Sequence, residues 1–239
     1  MFAACAVCAF GFESVAKYKV SYSWFELGTA AAKLSIEGDR YVTEVSAKTK
    51  GMAATFTGNR AEVFRSEGAI ANGVLVPEKY EWRLTSTKKT AYIGAFFDHN
   101  NSQVLRMSEK CDSSNKCEYE SKILTGDEYA ENDILSIYHN VTKNFLASGE
   151  KSIEVKAVGS RKKARVEIAE GKKLKEAQSI LGKNGRFLLV FLNQDIFSSS
   201  DGALYVNLDD DAIVKKAVLA DTILFGDVVG ELTEKKITP

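Results

Sequence analysis

The sequence predicts a mainly β protein: one large antiparallel sheet curved into an open barrel or β-roll, with one principal helix packed against it. Three observations carry this. Short runs alternate apolar and polar residues with the period of two that a half-buried strand requires. The runs are separated by turn residues. With 17 glycines and only 2 prolines, those turns must rest on Gly, Asn and Asp. A single stretch repeats its apolar residues at helical spacing.

The elements follow in order. "KYKVSYSWF" sets Tyr18, Val20, Tyr22 and Trp24 on one face and Lys17, Lys19, Ser21 and Ser23 on the other. "AKLSIEGDRYVTEVSAKT" reads as strand, "EGDR" turn, strand. Further strands are expected at "AEVFRSEG", "EKYEWRLTS", "TAYIGAFFD", "SQVLRMSE" and "CEYESKIL". The helix lies in "NDILSIYHNVTKNFLASGE", where Ile134, Ile137, Tyr138, Val141 and Phe145 form one apolar stripe. Asn132 or Asp133 can cap its start, and Gly149 sits where a helix ends. Strands then resume at "KSIEVKAVG", "KARVEIAEG", "KKLKEAQSIL", "NGRFLLVFLN", "GALYVNLD", "IVKKAVLAD" and "TILFGDVVGEL", with "GKNGR" and "LDDDA" as hairpin turns. A flat sheet of about a dozen strands is unusual, so the sheet is expected to curl and to hold the helix on its concave side. Residues 16–239 are expected to form one domain, preceded by a tail over residues 1–15.

Charge and motifs narrow the function classes. Lys+Arg and Asp+Glu balance at 32 each, so no net field attracts nucleic acid. The lysine-rich "SRKKARVEIAEGKKLKEA" lacks interleaved aromatics and reads as a solvated hairpin face. No run approaches the roughly 20 apolar residues of a spanning helix. "MFAACAVCAFGF" has the length and small-residue character of a signal-peptide core but no basic leader. It is expected to be a signal remnant. "FAAC" also resembles the box before a lipidated bacterial cysteine, which would make Cys5 the acylated residue and the protein outer-membrane-associated. An ordinary stretch of chain is the third reading.

Cys111 and Cys117 flank "DSSNK". Metal sites favour closer pairs with histidine nearby, and no histidine lies within ten residues here. The spacing is also wrong for a redox CxxC. A disulfide closing a hairpin tip fits the turn chemistry, and would contribute about 2 kcal/mol. Two free thiols are the alternative. A disulfide there favours an oxidising compartment.

No catalytic constellation is present. GxSxG, HExxH and the P-loop are all missing, and the two histidines, His99 and His139, read as a turn residue and a residue beside the helix stripe. The acids at 209–211 read as a solvated turn, and Asn140-Val141-Thr142 matches the glycosylation sequon by chance on a helix. No cofactor or metal is expected, and no enzymatic activity. The aromatic residues are the remaining signal. Core packing accounts for such a set, and so does an apolar cavity lined by Tyr18, Tyr22, Trp24, Tyr41, Tyr80, Trp82, Tyr92, Phe96 and Tyr138.

Several patterns resemble one family. These are "YKVSYSWFELGTAAAKLSIEGDRYVTEVSAKTKGMAA", Pro77 with "EKYEW", "FFD", "DILSIYHNV" from Asp133, and the closing "GALYVNLDDDAIVKKAVLADTILFGDVVGEL". Over residues 16–233 the chain resembles the exported bacterial domain-of-unknown-function family 3108. The resemblance is weakest over 160–185 and says nothing of Cys111 and Cys117. It implies a periplasmic or outer-membrane-associated β-roll with no known reaction, similar in outline to lipoprotein carriers and envelope-integrity spiral proteins. The expectation is a non-enzymatic periplasmic envelope protein that binds a lipid-like or extended peptide ligand in a concave apolar face. The alternative is a structural module that pairs with an envelope protein partner through an open sheet edge.

Overall fold

Turn chemistry sets the rhythm of the first half of the chain. A computed structural model describes residues 11–158, 163–191, 203–222 and 226–239. Strands β1 (Phe12–Tyr22), β2 (Phe25–Glu37) and β3 (Arg40–Thr49) are followed by a short helix, α1 (Gly51–Thr57). Then come β4 (Ala61–Ala71), β5 (Val74–Thr85), β6 (Lys89–Asp98), β7 (Gln103–Asp112) and β8 (Cys117–Leu124). Each strand pairs antiparallel with the next. Asn72 and Gly73, both at positive φ, make the two-residue turn between β4 and β5. Cys111 faces Cys117 across the last hairpin and is bonded to it.

From β8 the chain crosses the inside of the sheet. A short strand β9 (Asn132–Asp133) leads into α2 (Ile134–Asn140), which continues as a π-helical turn over Val141–Phe145 and a last turn at Leu146–Ser148. Asp133 caps the start: its Oδ1 accepts the Leu135 and Ser136 amides at 2.7 and 3.0 Å, and its own amide donates to Ser136 Oγ. Gly149, at positive φ, ends the helix.

The second half starts at the opposite margin and works back. It comprises β10 (Ser152–Val155), β11 (Ala157–Val158), β12 (Ala164–Ile168), helix α3 (Gly171–Leu181), β13 (Arg186–Phe191), β14 (Ala203–Leu208), β15 (Val214–Thr222) and β16 (Gly226–Thr238). Among the described residues the result is an open antiparallel sheet of 14 strands in the order β10-β12-β13-β14-β15-β16-β1-β2-β3-β4-β5-β6-β7-β8, with β9 and β11 as a separate parallel pair. The two halves of the chain therefore meet where β16 lies against β1.

α2 packs on the concave face and joins two cores. On one side Ile137, Val141 and Phe145 meet Val166, Leu188, Val206 and Leu208. On the other, Leu135 packs with Tyr80, Ala95 and Val104. The convex face holds a third core, where Ala177 and Leu181 of α3 cover Phe187, Leu189, Tyr205 and Val218.

Three expectations are corrected here. "KKLKEAQSIL" is not a strand but α3: Leu174, Ala177 and Leu181 are spaced for one helical face, and that face has a sheet to bury against. Among the described residues α1 and α3 thus accompany the expected principal helix, α2, and the lysine-rich segment is a strand and a helix instead of a hairpin. β1 begins at Phe12, inside the stretch expected to be a tail. Residues 1–10 of the expected signal remnant, including Cys5 and Cys8, lie outside the described residues.

Candidate ligand-binding face

The concave face has a packed end and an open end. At the packed end the registers Thr43↔Ser66, Ser66↔Tyr80 and Tyr80↔Ala95 set four buried residues in a row beneath α2. A polar chain runs through them. The Tyr41 hydroxyl and Ser66 Oγ lie 2.8 Å apart, and the Ser66 hydroxyl donates to Asp133 Oδ2 at 2.6 Å. Asp133 is 0% exposed. Burial pushes its pKa up, against the Ser66 hydroxyl and the two helix amides that favour its ionised form. The Thr43 hydroxyl donates to the Lys33 carbonyl, which leaves His139 Nε2–H to donate to Thr43 Oγ1 at 3.1 Å. Burial lowers the His139 pKa to about 4, so it is neutral at pH 7. Asn140 clasps the Leu75 amide and carbonyl with its side chain, so the sequon asparagine is committed to the fold.

Toward the other end of the same strands the helix gives out. Val45, Phe64 and Trp82 are only partly buried, as are Val190 and Leu204 across the roll. A groove of about 170 Å³ opens here, lined by Val20, Gly28, Ala47, Thr49, Arg60 and Glu62 among others. Gly28 is required at its floor, because a Cβ there would lie 2.0 Å from the Lys48 carbonyl oxygen. One polar corner marks the groove. Glu62 Oε2 accepts the Trp82 indole N–H at 2.9 Å, and Glu62 Oε1 accepts Arg60 Nε at 2.7 Å. Around the rim, Trp24 in the β1–β2 turn is 82% exposed and stacks on Phe25 at 3.6 Å between ring centroids. Met52 and Phe56, one turn apart on α1, are 63% and 76% exposed.

The aromatic residues singled out in the sequence divide among these places. Tyr80 and Tyr138 are at the packed end, the latter donating its hydroxyl to the Ala212 carbonyl at 2.9 Å. Trp82 stands at the groove, Tyr22 is half-buried at the end of β1, and Trp24 is on the rim. Tyr92 and Phe96 alternate to the convex face: the Tyr92 hydroxyl donates to Glu81 at 3.0 Å, and Lys79 sits over the Phe96 ring at 5.9 Å. The sequence reading did not include Glu62, Arg60, Gly28 or Ala47. The signal available for Glu62 was an acid on the apolar face of "AEVFRSEG".

The remaining titratable candidates are committed elsewhere. His99 contacts the Pro77 carbonyl oxygen at 2.7 Å and the Tyr129 hydroxyl at 3.0 Å. Asp209 and Asp211 both hold Lys235, and Asp209 also caps its own turn. Glu109, Cys111 and Cys117 bring donor atoms within 4.8 Å of one another, but the two sulfurs are bonded together.

Comparison with known proteins places this geometry in context. The family model described as "Protein of unknown function (DUF3108)" matches residues 17–233. No curated protein matches the chain. Among solved structures, the crystal structure of a β-barrel-like protein of domain of unknown function DUF1849 from Brucella abortus is similar with a TM-score of 0.52. It shares 10% identity and the alignment covers 97% of this chain and 99% of that one, a likeness of fold alone.

Proposed function

The chain belongs to the family of proteins of unknown function DUF3108, and from that premise we propose that it is a non-enzymatic periplasmic envelope factor that binds a lipid-like or extended peptide ligand in the open half of its concave face. The observation that carries this is the uncovered apolar trough beyond the end of α2. Val20, Ala47, Phe64 and Trp82 remain partly solvent-accessible there, although they share a face with a fully buried core. Binding sites of this kind are largely apolar, with a few convergent polar groups. The Arg60–Glu62–Trp82 corner supplies such groups. Exposed Trp24, Phe25, Met52 and Phe56 at the mouth give an apolar ligand a continuous path from solvent. The Cys111–Cys117 disulfide supports an oxidising compartment.

The test is a titration with a fluorescent fatty acid and with an extended apolar peptide, paired with native mass spectrometry of protein recovered from its own envelope. Saturable binding of one ligand is expected, and Ala47→Trp, which fills the trough, should abolish it. Recovery of empty protein that takes up neither probe would sink the reading.

A further inference from the structure

β8 is a free margin of the sheet. Glu118 to Ile123 are all exposed, and among the described residues no strand pairs with its far side. The phase of its hydrogen bonds is set by the turn before it. The Asp112 amide donates to the Lys116 carbonyl at 3.0 Å, so Asp112 and Lys116 form a hydrogen-bonded pair and the bonded cysteines do not. Such pairs alternate along an antiparallel ladder. Glu118, Glu120 and Lys122 therefore turn their backbone groups toward β7. Tyr119, Ser121 and Ile123 turn theirs outward, unpaired.

The side chains carry a matching pattern. Tyr119 and Ile123, 74% and 57% exposed, stand on the convex face. There the register Phe96↔Leu105↔Ile123 makes an exposed apolar row running to the margin. Glu120 and Lys122 stand on the other face. Read outward from Ser121 in either direction, the strand offers first a charge and then an apolar residue, and the two charges have opposite signs.

We propose that β8 pairs antiparallel with β8 of a second copy of this chain, about a two-fold axis through Ser121. In that register Ser121 meets its counterpart and Tyr119 meets Ile123 of the second copy, joined by the outward backbone groups. Glu120 meets Lys122 of the second copy, twice, as isologous pairing demands. Sliding the axis to Glu120 or to Lys122 sets like charges face to face, which is unfavourable. A charged edge strand usually prevents association. That device places repelling or unpartnered charges at the contact, whereas this strand complements itself. The apolar row continues from one copy into the other and is covered where the strands meet. The inference does not depend on the ligand reading, since the trough lies on the concave face.

Sedimentation velocity of the full chain over a concentration series tests it. A reversible dimer is expected. Glu120→Lys or Lys122→Glu alone turns both charge pairs repulsive and should weaken the dimer about tenfold. The double variant Glu120→Lys/Lys122→Glu restores both pairs between copies, though not the contacts of Glu120 with Arg106 and of Lys122 with Glu128 within one copy, and should bind clearly more tightly than either single variant. In a Cys5→Ser/Cys8→Ser background, a short bismaleimide should join two Ser121→Cys copies. A monomer at every concentration, a double variant as weak as the singles, or no cross-linking at position 121 would each overturn the proposal.

Discussion

Thr43, Ser66, Tyr80 and Ala95 lie on the same strands and the same face as Val45, Phe64, Trp82 and Ile93, only two residues further along in each case. The first four are buried and the second four half-buried. Strand propensity and hydrophobicity cannot explain the difference, because both rows alternate correctly and the half-buried row is the more apolar of the two. Coverage explains it. α2 lies over one row, and its capping residue, Asp133, reaches down to Ser66. The lesson is that a curled sheet does not itself decide whether its interior is core or cavity; the element laid across it does.

The sharpest way to break this comparison is to remove the anchor of the helix. Asp133→Ala leaves the Leu135 and Ser136 amides and the Ser66 hydroxyl without their acceptor in a buried site. Urea unfolding should show a loss of about 4 kcal/mol. Glu62→Gln at the open end should lose under about 1 kcal/mol by the same measurement, because its partners retain access to solvent. Equal losses would mean that the two ends are not energetically distinct.

Between pH 7 and pH 4, acidification should act on the packed end through His139. His139 has a native pKa of about 4, against about 6.5 unfolded. Between these values the unfolded chain binds a proton that the native state refuses, so stability falls as pH falls. The loss attributable to this group is about 3 kcal/mol by pH 4 and levels off below it. Asp133 opposes it in sign, because its raised pKa lets the native state take up a proton first. His139→Gln keeps a donor for Thr43 and should remove the histidine share. The difference between the two proteins in urea midpoints, measured from pH 7 to pH 4, isolates that share. A constant difference across the range would rule it out.

A smaller effect is expected at the margin of the sheet. Cys111→Ser/Cys117→Ser opens a short loop and should lower stability by about 2 kcal/mol. Dithiothreitol should shift the parent midpoint by a similar amount and leave the variant unmoved. A parent protein indifferent to reductant would show that the bond contributes nothing to the native state.

Much of the sheet was legible because its information is local. Period-two runs gave most strands, and the β2–β3 turn could be read at "EGDR", where Gly38 takes positive φ. The α2 stripe and its cap at Asp133 were equally plain. α3 was hidden by its lysines: only Leu174, Ala177, Ile180 and Leu181 are apolar in a charged segment, too few to outweigh neighbouring strand patterns. α1 is a seven-residue helix with no buried residue, and its single apolar pair, Met52 and Phe56, is too short a pattern to detect. The polar chain under α2 was out of reach for another reason. Ser66 and Asp133 stand 67 positions apart, and nothing within either segment announces the other. The same holds for the trough, which exists only because α2 stops short.

The first and last strands lie side by side in the middle of the sheet, Glu13 opposite Thr238 and Lys17 bonded to Glu234 across 217 positions. Each meander can zip up from its own hairpins as it leaves the ribosome, but the seam between them must await β16. The entropy of so distant a closure grows only logarithmically with length. The burden is therefore one of timing: until β16 arrives, β1 and β15 are raw edges on a half-finished chain, open to any strand that passes.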